Sequence, residues 1–262
     1  MKLRILRGAK ANPRERGVIA LAADDGAWVM VNLSTAVALE LCEQHALPRA
    51  TGLSLTNLAG VILTDAHVDH TGGLLSLRIG APLELYATSS VFESLTSTLP
   101  VLTVLDHYCG VHWHLVPVAG DRRVAQFQVN SLPSLEFVAI ATDVQPPPYA
   151  ANSRDPAVGD TLALTVRDLS TGQSMFCAPG LTQIGAFEFD WMRQADCLLM
   201  DAPASSHALP VDSLAVELLS GLPARHKVLW PSQRDGAEPV QSPTAPAGRG
   251  IEWAYDGLEI EL

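Results

Sequence analysis

The stretch GVILTDAHVDHTGG, residues 60–73, restricts the fold more than any other part of the chain. GVILT (60–64) is a short unbroken apolar run, the pattern of a strand buried on both faces. It stops at four ligand-type side chains within six positions: Asp65, His67, Asp69 and His70. Gly72 and Gly73 follow, and they let the backbone come close to a neighbour and start a helix. A strand, a polar loop and then a helix is an α/β arrangement, and open α/β sheets bind their ligands at such strand ends. Residues at i and i+2 of an extended loop point the same way, and a tight turn brings i+4 and i+5 in from the other side. The spacing therefore predicts that the four side chains converge on one point, as metal ligation requires.

The rest of the chain alternates in a coarse two-part rhythm, with several strands followed by strand–helix alternation, twice. LRILRG (3–8), GVIALAA (17–23) and WVMVNL (28–33) read as strands, with the Asp-Gly of ADDG (23–26) as a hairpin turn. Ser34 or Thr35 suits the cap of a helix carrying Val37, Leu39 and Leu41. GGLLSLRIG (72–80) suits a short helix, LELYAT (83–88) a strand, and SVFESLTSTLP a Ser-capped helix ending at Pro100. VHWHLVPV, VAQFQV, LEFVAIAT, TLALTVRDL and TGQSMFCAPG read as strands; a helix (185–194), ADCLLMDA, a helix (211–222), KVLW and the final run IEWAYDGLEIEL, with Asp256-Gly257 as a turn, complete the order. The predicted class is α/β: one domain over 1–262, a four-layer αββα sandwich of two mixed sheets with helices outside. Residues 232–250, rich in Pro, Gly and Ala, read as a flexible surface loop.

Charge narrows the partners. The formal net charge is −11 and no Lys/Arg cluster stands out, which argues against nucleic acid and against anionic membranes. No apolar run approaches the roughly 18–20 residues of a membrane span, and no signal-peptide pattern opens the sequence. Cys42, Cys109, Cys177 and Cys197 have no CxxC spacing, so a reduced, cytoplasmic protein is expected. Asp201, at the end of ADCLLMD, is the distant candidate for a fifth metal ligand, against the blander reading of a loop carboxylate. His112 and His114 share one face of a strand and read as surface residues.

Several segments, in order along the chain, resemble the PqqB family of pyrroloquinoline quinone (PQQ) biosynthesis proteins. They are LTDAHVDHTGGLLSLR, LELYATSSVFESLTSTLPVLTVLDHYCGVHW, PPPYAANSRDPAVGD, FCAPGL, ADCLLMD and GIEWAYDGLEI. D65-A-H67-V-D69-H70 likewise has the spacing of the metallo-β-lactamase signature H-x-H-x-D-H, with Asp in place of the first His. The resemblance implies a metallo-β-lactamase-like fold and a place in making PQQ, which is built from a Glu and a Tyr of a small precursor peptide. It also implies iron or zinc as cofactor, with Asp69 and His70 as the catalytic pair. Tyr149 and Arg154 would border the active-site mouth, with Arg154 suited to a substrate carboxylate.

The sequence departs from the family pattern in three places. Residues 8–17 contain no Cys, so the family's structural zinc is expected to be absent. Trp230–Pro231 stand where a family His belongs, and a family Met-Gly-His segment has no clear counterpart, since SSHALP offers only His207, badly placed. Three readings stay open: an iron-dependent oxygenase hydroxylating the precursor tyrosine, a zinc-dependent hydrolase in which Asp69 activates water, or a non-catalytic carrier. The expected partner is a small peptide-derived or quinone precursor, and a homodimer is an open expectation.

Overall fold

The computed structural model describes residues 1–6, 17–24, 26–46, 53–77, 80–150, 155–181, 184–201, 218–230 and 250–262. Arg154, Arg78, His207, most of the 232–250 segment and the first part of the 211–222 helix lie outside them.

Two seven-stranded sheets form the middle of the molecule. The first holds, from edge to edge, β14 (Glu259–Glu261), β1 (Lys2–Ile5), β2 (Ile19–Ala22), β3 (Trp28–Val31), β4 (Leu58–Ile62), β5 (Leu83–Ala87) and β6 (Val111–Leu115). The second runs β13 (Ile251–Trp253), β12 (His226–Trp230), β11 (Cys197–Asp201), β10 (Ser174–Ala178), β9 (Leu162–Asp168), β8 (Leu135–Ala141) and β7 (Val124–Phe127). The two have one plan. From β14 to β3 and from β7 to β10 the pairings are antiparallel; from β3 to β6 and from β10 to β13 they are parallel. That repetition is the two-part rhythm of the sequence.

Three apolar clusters fill the three interfaces between the four layers. Leu3, Ile5, Ile19, Val31, Ile62, Phe137, Leu164, Cys177, Leu199 and Trp230 pack between the sheets. On the outer face of the first sheet, Trp28, Met30, Val61 and Leu85 meet α1 (Thr35–Ala46), α3 (Ser89–Thr96) and α4 (Val101–Leu105) through Val37, Leu41, Val91, Leu95 and Leu102. Phe176, Leu198, Met200 and Leu229 cover the outer face of the second sheet with Met192 of α5 (Ala186–Met192). Alternation along β11 shows the logic: Cys197 and Leu199 face the inner cluster, Leu198 and Met200 the outer one. Both buried thiols behave as small hydrophobes, and burial pushes their pKa values far up.

Three sequence expectations need correction. The cap of α3 is Thr88, whose Oγ1 accepts from Val91 N–H, and not a serine. α3 ends at Thr96, short of Pro100, and Pro100 instead opens α4, because its fixed φ suits a helix start and it lacks only an N–H that would have no helical partner there. The glycine-led helix begins earlier, as α2 (Val68–Thr71), and continues as a short 3₁₀ turn over Gly72–Leu75. The expected turn at Asp256-Gly257 is present, and it carries the chain from β13 in one sheet to β14 in the other. Ser34 does cap α1, accepting from Val37 N–H at 3.3 Å.

Candidate functional site

The 63–73 loop leaves the C-terminal end of β4, one of the parallel strands at the centre of its sheet. Backbone bonds fix it at several points. Thr64 C=O accepts from Leu162 N–H at 2.8 Å, joining the loop to the start of β9 in the second sheet. β9 runs antiparallel to β10, so the loop sits at the end of the sandwich where β10, β11 and β12 also finish. At its far end, Leu33 N–H donates to His70 C=O at 2.7 Å, and Gly73 N–H donates back to Leu33 C=O at 3.0 Å. This close approach is why residue 73 is glycine. A Cβ there would lie 2.4 Å from Ser34 O and 2.6 Å from Leu33 Cγ.

The four loop side chains come together as two pairs. Asp65 and His70 are buried, each 8% exposed, with His70 Nδ1 2.8 and 2.9 Å from the two carboxylate oxygens. His67 N–H also donates to Asp65 Oδ1 at 2.8 Å, and Thr64 Oγ1 lies 3.2 Å from Oδ2. Burial alone would raise the Asp65 pKa; the facing His70 and the His67 N–H outweigh it and hold the carboxyl below its ordinary value. Because the partner is a carboxylate, Nδ1 is the nitrogen that donates to it, and Nε2 is the ring nitrogen on the side away from Asp65. The second pair is more exposed: His67 Nδ1 is 3.5 Å from Asp69 Oδ2. The His67 and His70 rings are 5.7 Å apart.

Tyr149 reaches this loop as expected. Its hydroxyl accepts from Val68 N–H at 2.5 Å, and its ring meets the His67 ring edge-on at 6.4 Å. Burial, with smaller contributions from the Asp65 and Asp69 charges, raises the phenol pKa. Asp201 is fully buried at the end of β11, where its Oδ2 accepts from Gly180 N–H at 3.1 Å. Trp230, paired with Asp201 in the strand register, lies in the inter-sheet core, so that position carries packing in place of an imidazole. His112 and His114 lie at the surface of β6 as expected, and both bind Glu84, at 2.8 and 2.5 Å.

Whether this set suits a metal ion turns on the atoms that face the mouth. Asp65 is engaged by His70 Nδ1 across its two oxygens and by His67 N–H at Oδ1. His70 suits an ion, since a carboxylate on one ring nitrogen is how metal-binding imidazoles are commonly aimed. Asp69 and His67 share its turn and are more exposed. Among the described residues, however, no three His, Cys, Asp or Glu side chains gather closely enough to hold an ion. The loop thus presents a buried Asp65–His70 pair beside a more exposed His67–Asp69 pair. Sequence reasoning found the polar cluster but missed Asn32 and Thr64, which hold it; an Asn directly after an apolar strand was the available signal.

Comparison with known proteins agrees with this architecture. The Beta-lactamase superfamily domain model matches residues 27–230. Coenzyme PQQ synthesis protein B from Methylobacillus flagellatus is 35% identical, covering 97% of this chain and 90% of that protein. Its namesake from Stutzerimonas stutzeri is 34% identical with the same coverage. Among solved structures, Zn(2+)-bound PqqB from Methylobacterium extorquens superposes with a TM-score of 0.72 at 17% identity, over 100% of both chains.

Proposed function

This chain belongs to the PqqB family, coenzyme PQQ synthesis proteins on the β-lactamase superfamily fold, and from that premise we propose that it acts in the biosynthesis of PQQ or a related peptide-derived cofactor. The observation that carries the site-level reading is the Asp65–His70 pair, buried at the rim and pointing one imidazole nitrogen away from its carboxylate. In this reading His70, Asp69 and His67 hold a metal ion, and Asp65 orients His70 without ligating. Asp201 is the further donor that would complete the set from the second sheet. A bound iron would supply oxygen activation beside a phenol ring, and a bound zinc would supply a polarised water. The family resemblance favours iron and a tyrosine of the precursor as the group modified.

The chain's own residues supply the rest. Tyr149 fixes the outer wall by accepting from Val68 N–H, and its ring offers a flat surface against which an aromatic substrate can lie. Asp69, half-buried beside His67, is the carboxylate proposed to take a proton from a phenol or a water. Arg154, in the segment after Tyr149, is the proposed holder of a precursor carboxylate.

A second reading, a non-catalytic carrier of PQQ or its precursor, is favoured by one observation: no three-donor set gathers among the described residues. Metal content separates the two. Protein purified without a chelating tag should contain near-stoichiometric iron or zinc, and a His67→Ala/His70→Ala variant should lose it by more than tenfold. PQQ formation in cells lacking their own PqqB should be restored by the parent and not by the variant. Metal-free protein that binds the precursor as well with both histidines removed would establish the carrier.

A further inference from the structure

We propose that Asn32 is a positioning residue for His70, acting through Thr64 and Asp65, and that this four-residue relay sets the direction of the His70 imidazole. Calling the mouth a working site rests on the reading above; the relay itself rests on contacts alone.

Asn32 is the only non-glycine residue with a positive φ, 56°, among the described residues. Asparagine enters this region more readily than most residues because its short amide can bond locally. Here the amide is fully buried and reaches across to the next strand's end. Its Oδ1 accepts from Thr64 N–H at 3.0 Å. Its Nδ2 donates to Gly17 C=O at 3.2 Å and to Thr64 Oγ1 at 2.9 Å. The adjoining backbone holds the other end of the loop, since Leu33 N–H donates to His70 C=O. Two consecutive residues therefore grip both the start and the end of the 64–70 segment.

Proton counting gives the relay its direction. Thr64 has one hydroxyl proton and two acceptors in reach, Asn32 Oδ1 at 3.1 Å and Asp65 Oδ2 at 3.2 Å. Asn32 Oδ1 already takes the Thr64 N–H, and an ionised carboxylate is the stronger acceptor. The hydroxyl thus accepts from the Asn32 amide and donates to Asp65. Asp65 is then fixed at both oxygens, Oδ1 by His67 N–H and Oδ2 by Thr64 Oγ–H. Without the second contact the carboxylate can turn about its Cβ–Cγ bond, and the imidazole that follows it loses its single orientation.

The test reads His70 directly in ¹⁵N-histidine-labelled protein, with neither metal nor precursor present. Asn32→Gly keeps the left-handed backbone and removes the amide. Thr64→Val removes the hydroxyl at nearly constant shape, and Thr64→Ser restores it. Both deletions should move the His70 nitrogen resonances toward the average of the two tautomers and abolish the protected Nδ1–H signal. Thr64→Ser should keep the parent spectrum. Unchanged His70 resonances in folded Asn32→Gly or Thr64→Val overturn the relay, as does a Thr64→Ser spectrum as altered as that of Thr64→Val. If Thr64→Val does not fold, Asn32→Gly and Thr64→Ser still decide. Failure of metal uptake or PQQ formation in the parent would sink the functional reading and leave these spectra untouched, so the two failures are distinguishable.

Discussion

At the scale of single residues, the site was legible by type and illegible by role. Asp65 looks like a ligand in the sequence because ligation and second-sphere orientation both call for a carboxylate. The placement of His70 Nδ1 against both its oxygens is the contact on which the proposal of the second task rests. Gly73 was legible in purpose, a close backbone approach, but its partner was not: the contact is with the turn at Leu33–Ser34, some forty positions earlier. A methyl group at residue 73 meets backbone oxygen, which cannot swing aside as a flexible side chain would. Gly73→Ala should therefore cost about 1–3 kcal/mol in urea unfolding, in the range of an overpacked core site. It should also disturb His70, whose carbonyl is bound to the same turn. A parent-like stability curve would show that the turn yields more easily than these contacts imply.

At the scale of elements, the strands were the most readable features because burial on both faces leaves unbroken apolar runs. What pattern alone concealed was allegiance. VHWHLVPV was read as an ordinary strand with surface histidines, yet β6 is a sheet edge whose histidines are gathered by one carboxylate from β5. Glu84 bridges His112 and His114, and the His114 ring stacks on Tyr86 at 4.4 Å. Burial works to raise the Glu84 pKa, but hydrogen bonds from His114 and His112, with their charges, hold it lowered. A depressed carboxylate adds stability that is present above its unfolded pKa and lost as pH falls through its folded one. Amide exchange over 111–115 should accordingly quicken in acid, below about pH 4.5. In Glu84→Gln it should already be fast at neutral pH. Equal protection in parent and variant across that range would show that backbone pairing to β5 alone secures the edge.

For the whole molecule, the four layers were legible from the repeated order of elements, and the duplicated plan of the sheets explains why. The sequence could not reveal that the last run divides between sheets, because local pattern fixes a strand and says nothing of its neighbour. Trp230 belongs to this scale too. It is fully buried in the layer between the sheets, so its volume is shared by both. Trp230→Ala should cost about 3–5 kcal/mol, and one unfolding transition should persist because the two sheets share a core. A stability change below about 1 kcal/mol would mean that the site collapses around the smaller residue. No helix among the described residues is long and apolar enough to cross a membrane.

The turn at Asp256-Gly257 has a consequence for how the protein fails. The short ribbon from β13 to β14 flanks both sheets at once, capping β12 on one side and β1 on the other. Were it peeled away by heat or nicked by a protease, two rows of amide and carbonyl groups would be bared together on a single molecule. Exposed rows of that kind recruit strands from other chains. At this side of the sandwich, protection of both sheets against such pairing therefore rests on about a dozen residues far along the chain from the polar loop, and a well-built mouth adds nothing to it once they let go.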